Sequence, residues 1–511
     1  MTASPPATDR LDRHVLLIAS VVVVGAIMSI LDTTIVNVAL ETLSRELDAP
    51  LSDVQWVSTG YLLALATVIP LTGWMSERFG ARRVWLTSAV LFVVGSALCG
   101  LAWNVESLVV FRVLQGLGGG MLMPVGMILM AQAAGPARVG RLMSIIGVPM
   151  LLGPVLGPVI GGAIVEHMSW EWIFYVNVPI GIIGIAMGVK LLPRVAVGAR
   201  PPRLDVLGLL LLSPGAAVLV FGLSEVASEG TITAPIAWIP MVAGALLIAA
   251  FVVHALRAEH PLIDMRLFSG TAFSAAAATT FAVGAALFGA LLILPLYFQL
   301  ARGQTPLEAG LLMAPQGLGA ALVMPLTGRL TDRVGGGRVA VAGLILLMVG
   351  TIPFTQLAPD TPYPLLCAAL VVRGLGLGAT MMPAFAAAYA TLEHDDVPRA
   401  TSALNVIQRI GGSIGTALLA VVLHQQIADQ FPASSGNIET IGASGSLPPE
   451  AATGITDAFA TTYWWALGLT AVALIPAVIL ARTSKPGGNP ELADALDEDE
   501  VGATPIGAGS R

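Results

Sequence analysis

Fourteen apolar stretches, each long enough to cross a lipid bilayer, dictate what this chain can fold into. They lie near residues 15–40, 54–74, 84–103, 107–131, 141–165, 172–192, 206–225, 236–256, 271–298, 308–328, 338–357, 364–390, 401–425 and 462–481. A bilayer core is crossed by about 20 apolar residues in helical form. Lipid supplies no hydrogen-bond partner for a free peptide group, whereas a helix satisfies its own. With 56% of residues hydrophobic and 11% charged, an all-α integral membrane protein with 14 transmembrane helices is expected.

Charged residues between the stretches set the orientation. If the helices alternate, 20 of the 25 Lys and Arg fall on the side shared by both termini. Arg45 and Arg302 fall on the other side, and Arg112, Arg373 and Arg409 lie inside stretches. Cytoplasmic loops carry the excess of Lys and Arg, so both termini are expected in the cytoplasm and the chain in a bacterial inner (plasma) membrane. The formal charge of −7 owes much to a tail bearing Glu491, Asp494, Asp497, Glu498, Asp499 and Glu500, which reads as a solvated segment. Cys99 and Cys367 fall inside apolar stretches, so neither a disulfide framework nor a metal site is implied.

A charged turn occurs twice. Pro70-Leu-Thr-Gly-Trp-Met-Ser-Glu-Arg-Phe-Gly-Ala-Arg-Arg-Val84 returns as Pro325-Leu-Thr-Gly-Arg-Leu-Thr-Asp-Arg-Val-Gly-Gly-Gly-Arg-Val339, 255 residues later. The copies follow the second and tenth stretches, so two six-helix bundles must flank two inserted helices. The expected organisation is a cytoplasmic N-terminus (1–14), an N-terminal bundle (15–192), a linker and two-helix insert (193–270), a C-terminal bundle (271–481) and an acidic cytoplasmic tail (482–511). An external loop is expected at about 426–461. A second echo links Arg112 and Gly116-Leu-Gly-Gly-Gly-Met-Leu-Met-Pro124 to Arg373 and Gly374-Leu-Gly-Leu-Gly-Ala-Thr-Met-Met-Pro383. Repeats of this kind build secondary transporters with a substrate path between the halves.

Asp32 is the carboxylate placed deepest, roughly 25 Å from the start of its helix at 1.5 Å per residue. A charge at that depth costs at least ~2.5–3.5 kcal/mol, which favours a group that carries a proton or attracts a cation over a purely structural ion pair. Arg112 enters the fourth stretch at a similar depth, so protonating Asp32 would free it and deprotonation would restore the pair. In the repeated turns, Gly73, Glu77, Arg78, Gly80, Arg82 and Arg83 answer Gly328, Asp332, Arg333 and Arg338. Topology alone explains their arginines but not the repeated glycine and acid, which suit an inner gate closed by ion pairs to neighbouring helix ends. The fifth stretch gathers Gly153, Pro154, Gly157, Pro158, Gly161 and Gly162, small residues four apart with local weak points in hydrogen bonding. Tyr61, Met123, Tyr297, Gln299, Asn405 and Gln408 can line a cavity with Asp32, although each alone fits ordinary packing better.

Other chemistries find no support. The glycine runs at 116–120 and 374–378 lie within apolar helices, not at a strand-to-helix turn, and neither Lys190 nor Lys485 sits in a phosphate-binding loop. No ATP use, cofactor, nucleic-acid partner or enzymatic triad is implied.

Together these motifs resemble the major facilitator superfamily, specifically its fourteen-helix drug:proton antiporter branch, over nearly the whole chain. The resemblance rests on Leu31-Asp32-Thr-Thr-Ile-Val-Asn37-Val-Ala-Leu40, the turn Gly73 to Arg83, Arg112-Val-Leu-Gln115-Gly116 and Gly153 to Gly162. Trp170-Glu-Trp-Ile-Phe-Tyr-Val-Asn177-Val-Pro179, Pro261-Leu-Ile-Asp-Met-Arg-Leu-Phe268 and Pro295-Leu-Tyr-Phe-Gln299 add to it. It implies the major facilitator fold, a proton-coupling role for the Arg112 segment and an antiporter motif in the fifth helix. Glu41, Glu77, Ser144 and Glu171 depart from the usual Pro, Asp, Gly and Arg. The expectation is a monomeric, proton-coupled exporter of amphipathic, often cationic drugs or biocides. Export of an endogenous lipid, siderophore or antibiotic fits the motifs equally, and a non-transporting receptor or scaffold fits less well.

Overall fold

The structure, a computed structural model, describes residues 13–134, 139–194, 203–390, 392–393, 395–430 and 449–483. The N-terminal 1–12, linker residues 195–202, loop residues 431–448 and the tail 484–511 lie outside the described residues. Helices follow one another as α1 (Arg13–Glu46), α2 (Asp53–Phe79), α3 (Ala81–Cys99), α4 (Val105–Ala134), α5 (Val139–His167), α6 (Trp172–Leu191) and α7 (Val206–Glu229). They continue as α8 (Pro235–Ala255), α9 (Thr271–Ala301), α10 (Pro306–Val334), α11 (Gly336–Gln356), α12 (Tyr363–Tyr389), α13 (Val397–Gln430) and α14 (Pro449–Thr483). Among the described residues, 13 helices are long and apolar enough to cross a membrane. The remaining one, α5, has 29 residues.

Residues 426–430 and 449–461, expected in an external loop, are helical. Their periodicity explains it: Ile455, Ala458, Phe459 and Thr462 recur three or four apart and are buried. Apolar content alone hides such a face. Proline interrupts several rods. A tight turn at Ile69–Leu71 surrounds Pro70 in α2, and α12 breaks at Ala379–Thr380, four residues before Pro383, which has no amide hydrogen to return. The duplicated turn closes in a single residue each time: Gly80 (φ 85°) joins α2 to α3 and Gly335 (φ 91°) joins α10 to α11. Side chains rarely adopt that conformation.

The two bundles repeat one another in packing as well as in sequence. In the first, α1 packs on α5 and α6, α4 on α2 and α3, and α3 on α6. In the second, α9 packs on α13 and α14, α12 on α10 and α11, and α11 on α14. Across the boundary, α5 lies on α10 while the end of α2 lies on α13; α7 packs on α2 and α13, and α8 packs on α7. At the end holding Gly80 and Gly335 the halves share one core, in which Val22, Met127 and Met143 meet Leu344, Met382 and Leu404. At the other end each half keeps its own core, one around Leu43, Val54 and Ile173, the other around Leu294, Phe459 and Leu423. The halves are thus joined at one end and independent at the other.

Candidate functional site

Asp32 and Arg112 meet in the middle of the first bundle. Arg112 Nη1 donates to Asp32 Oδ2 at 2.6 Å, and the side chains are 1% and 0% exposed. The other carboxylate oxygen accepts from Gln115 Nε2 (2.8 Å) and Asn177 Nδ2 (3.0 Å). Gln115 in turn accepts from Arg112 Nη1 (2.7 Å) and donates to Ser96 Oγ (2.6 Å). Arg112 Nε donates to Val57 O at 3.1 Å, and its guanidinium lies 4.0 Å from the Tyr61 ring centroid. Five helices thus contribute to one network around a single carboxylate. Such a buried network is costly if any member loses its partner.

The repeated turns join the halves twice, in matching fashion. Arg399, at the start of α13, grips Glu77 at the end of α2 through Nε to Oε1 (2.9 Å) and Nη2 to Oε2 (3.0 Å). Arg141, at the start of α5, pairs with Asp332 at the end of α10 (2.9 Å), whose Oδ1 also accepts from Gly140 N at 3.0 Å. Each acid has a glycine one turn before it. Gly73 N donates to Ser402 Oγ at 2.8 Å, and a Cβ on Gly73 would come 2.8 Å from Pro398 O. A Cβ on Gly328 would come 2.7 Å from Ser144 Oγ. The partners Arg141-Leu-Met-Ser144 and Arg399-Ala-Thr-Ser402 are themselves a repeat 258 residues apart. Of the remaining turn residues, Arg82 donates to Val189 O at 2.5 Å, and Arg78, Arg83, Arg333 and Arg338 are exposed.

In α5 the first turns face α10, with Gly147 against Met324 and Met382. The glycine stripe then turns to α1: Gly153, Gly157 and Gly161 face Ile30, Thr34 and Ile35, flanking Asp32, while Gly162 faces open space. The side chains of Pro154 and Pro158 lie outside the described residues. The residues expected around a cavity separate. Asn405 reaches Met127 across the boundary, Gln408 points to Met381, and Met123 packs on the shared core. Tyr297 is buried in the C-terminal core beside Phe459, and half-buried Gln299 follows it in a π turn.

Among the described residues, Arg373 and Arg409 have no carboxylate partner. Arg373, the counterpart of Arg112, is 3% exposed, and its Nε and Nη1 have no hydrogen-bond partner; it rests near Phe354 and Tyr463. Arg409 is half-buried. Removing a buried charge that has no carboxylate partner relieves its desolvation cost, so Arg373→Met is expected to leave the protein at least as stable as the wild type. A lowered thermal midpoint in detergent would contradict that assignment.

Comparison with known proteins accords with this geometry. A profile of the Major Facilitator Superfamily matches residues 22–416 and, in a second match, 276–499. The multidrug resistance protein B homolog of Mycobacterium tuberculosis is 43% identical over 421 residues, covering 82% of this chain and 78% of its own. The putative multidrug resistance protein MdtD of Escherichia coli is 31% identical over 470 residues, covering 90% and 93%. Among solved structures, the proton:xylose symporter XylE superposes with a TM-score of 0.61 at 14% identity, covering 94% of this chain and 99% of that one. The human organic anion transporter MFSD10 gives 0.58 at 15%, covering 91% and 100%. Likeness at that identity concerns the fold alone.

Proposed function

The chain belongs to the Major Facilitator Superfamily and is a multi-pass membrane transporter, and from that premise we propose that it exports amphipathic small molecules in exchange for protons. It works by alternating access as a monomer, with fourteen crossings of a bacterial plasma membrane and both termini in the cytoplasm. The buried Asp32–Arg112 pair carries the reading. One carboxylate held by three donors exists in two states: charged and locked to Arg112, or protonated and released. Asp32 lies on α1, whose neighbouring turns receive the α5 glycine stripe. A change in its charge therefore acts on the contact between α1 and the helix that bridges to α10. The names of the relatives favour export of drugs, and the 20-to-2 division of Lys and Arg favours the orientation.

In that orientation the joined end is cytoplasmic, and the structure corresponds to the state facing outward. A proton taken up by Asp32 from outside would weaken its hold on Arg112 and accompany the return to the inward state. Each proton supplies ~1.4 kcal/mol per pH unit, and each net charge moved adds ~2.3 kcal/mol per 100 mV. The test is substrate-dependent proton flux in proteoliposomes holding the purified chain and a trapped pH dye. Amphipathic dyes should release proton movement that an inactive preparation lacks. No flux with any member of a broad dye panel would end this reading and favour a non-transporting scaffold.

A further inference from the structure

Ser402, Asn405 and Arg409 recur three and four residues apart, so they form one stripe along α13. The stripe faces the first bundle. Ser402 receives Gly73 N and Asn405 reaches Met127, and Arg409 continues the same face one turn further on. The first two are fastened at the joined end. Arg409, about 18 Å into the helix at 1.5 Å per residue, is half-buried and has no hydrogen bond, ion pair or ring contact among the described residues.

The charges around it leave it uncompensated. Asp32 is already bonded to Arg112, Gln115 and Asn177, and is 0% exposed. Glu225 lies on neighbouring α7, but Gly230 meets His424, which sets Glu225 about ten residues, or ~15 Å, beyond Arg409. The α5 side chains outside the described residues, at 148–152, 154–155 and 158, are apolar by sequence. Toward the joined end the chain is closed by packed methionine, with Met127 beside Asn405 and Met381 beside Gln408 in the shared core. A guanidinium stays charged and recognises carboxylate, sulfonate or phosphate oxygens.

We propose that Arg409 receives the acidic group of the cargo, so that the molecules exported are amphipathic anions. The proposal rests on the export reading above and deepens it. An expectation of cationic cargo depends on Asp32 offering a free charge, and its oxygens are occupied by three donors. Exchange of one proton inward for one monoanion outward moves two positive charges inward, so such transport should quicken with an inside-negative potential.

The test uses the full chain in proteoliposomes with an imposed pH gradient and three dyes. These are anilinonaphthalene sulfonate (anionic), phenylnaphthylamine (neutral, with the same ring system) and ethidium (cationic). The wild type is expected to move the sulfonate in preference to ethidium. Arg409→Gln should cut sulfonate transport at least tenfold and leave the neutral dye within twofold, and Arg409→Lys should restore most of the loss. Fluorescent phosphatidylglycerol moved with the same Arg409 dependence would identify the acidic group as a lipid headgroup. Undiminished sulfonate transport by Arg409→Gln overturns the proposal. So does a wild type that moves ethidium but no anion, and that outcome leaves proton-driven export standing. Failure of every dye to respond to the gradient removes the export reading instead. If Arg409→Gln does not fold, the wild-type preference between sulfonate and ethidium decides.

Discussion

Asp32→Asn is expected to abolish proton-driven export, with a loss of at least about 100-fold, or ~2.7 kcal/mol, while exchange of labelled for unlabelled substrate without a gradient continues. Asparagine keeps the size of the side chain and removes both its charge and one acceptor. In the native network Oδ2 accepts from Arg112 and Oδ1 from Gln115 and Asn177. An amide presents one oxygen, so its NH2 must face a donor on one side. It imitates the protonated acid permanently. Arg112→Gln behaves differently, because it leaves a charged carboxylate buried without its cation and should destabilise the protein by about 3–5 kcal/mol. The double variant Asp32→Asn/Arg112→Gln should recover most of that stability without recovering coupling. Proton-coupled transport by Asp32→Asn at the wild-type rate would remove Asp32 from the mechanism.

The helices and the Asp32–Arg112 pair are legible in the sequence for the same reason: membrane depth is a one-dimensional quantity. Apolar runs count residues, and 1.5 Å per residue turns a count into a level. Two charges at one level have few other partners. Azimuth is not legible in this way. Asn177 and Ser96 reach the cluster from α6 and α3 because those helices turn the right face inward, which no count gives. Tyr297 shows the converse error, since its depth suits a cavity but its face of α9 packs against Phe459. The latch partners Arg141, Arg399 and Ser402 are hidden for another reason. Positive-inside topology already explains arginines at those positions, which hides the repeated Arg-x-x-Ser at the starts of α5 and α13.

That second repeat gives the other large expected effect. Glu77→Gln together with Asp332→Asn should shift the conformational balance from closed to open at the joined end. Each acid makes charge-assisted bonds across the boundary, with side chains only 16% and 6% exposed. Losing one such interaction costs about 1.5–3 kcal/mol. Losing both removes about 3–6 kcal/mol from the closed state, enough to change a two-state ratio by roughly 10²- to 10⁴-fold. Partial burial also protects the pairs from salt, so ionic strength should do far less than the substitutions. Spin labels on exposed Arg83 and Arg338, at the starts of α3 and α11, would report the change as a longer, broader distance distribution. Gly73→Val should act in the same direction by sterics alone, because its Cβ would press on Pro398 O and Ser402 Oγ. Agreement between a charge-removing and a space-filling variant separates a latch from a local fold defect, since the two share no atoms. If the distance distribution of the double variant matches the wild type, the acids stabilise the turns and not the closed state. The duplicated turn would then be a scaffold for α3 and α11, and closure would depend on the shared methionine core.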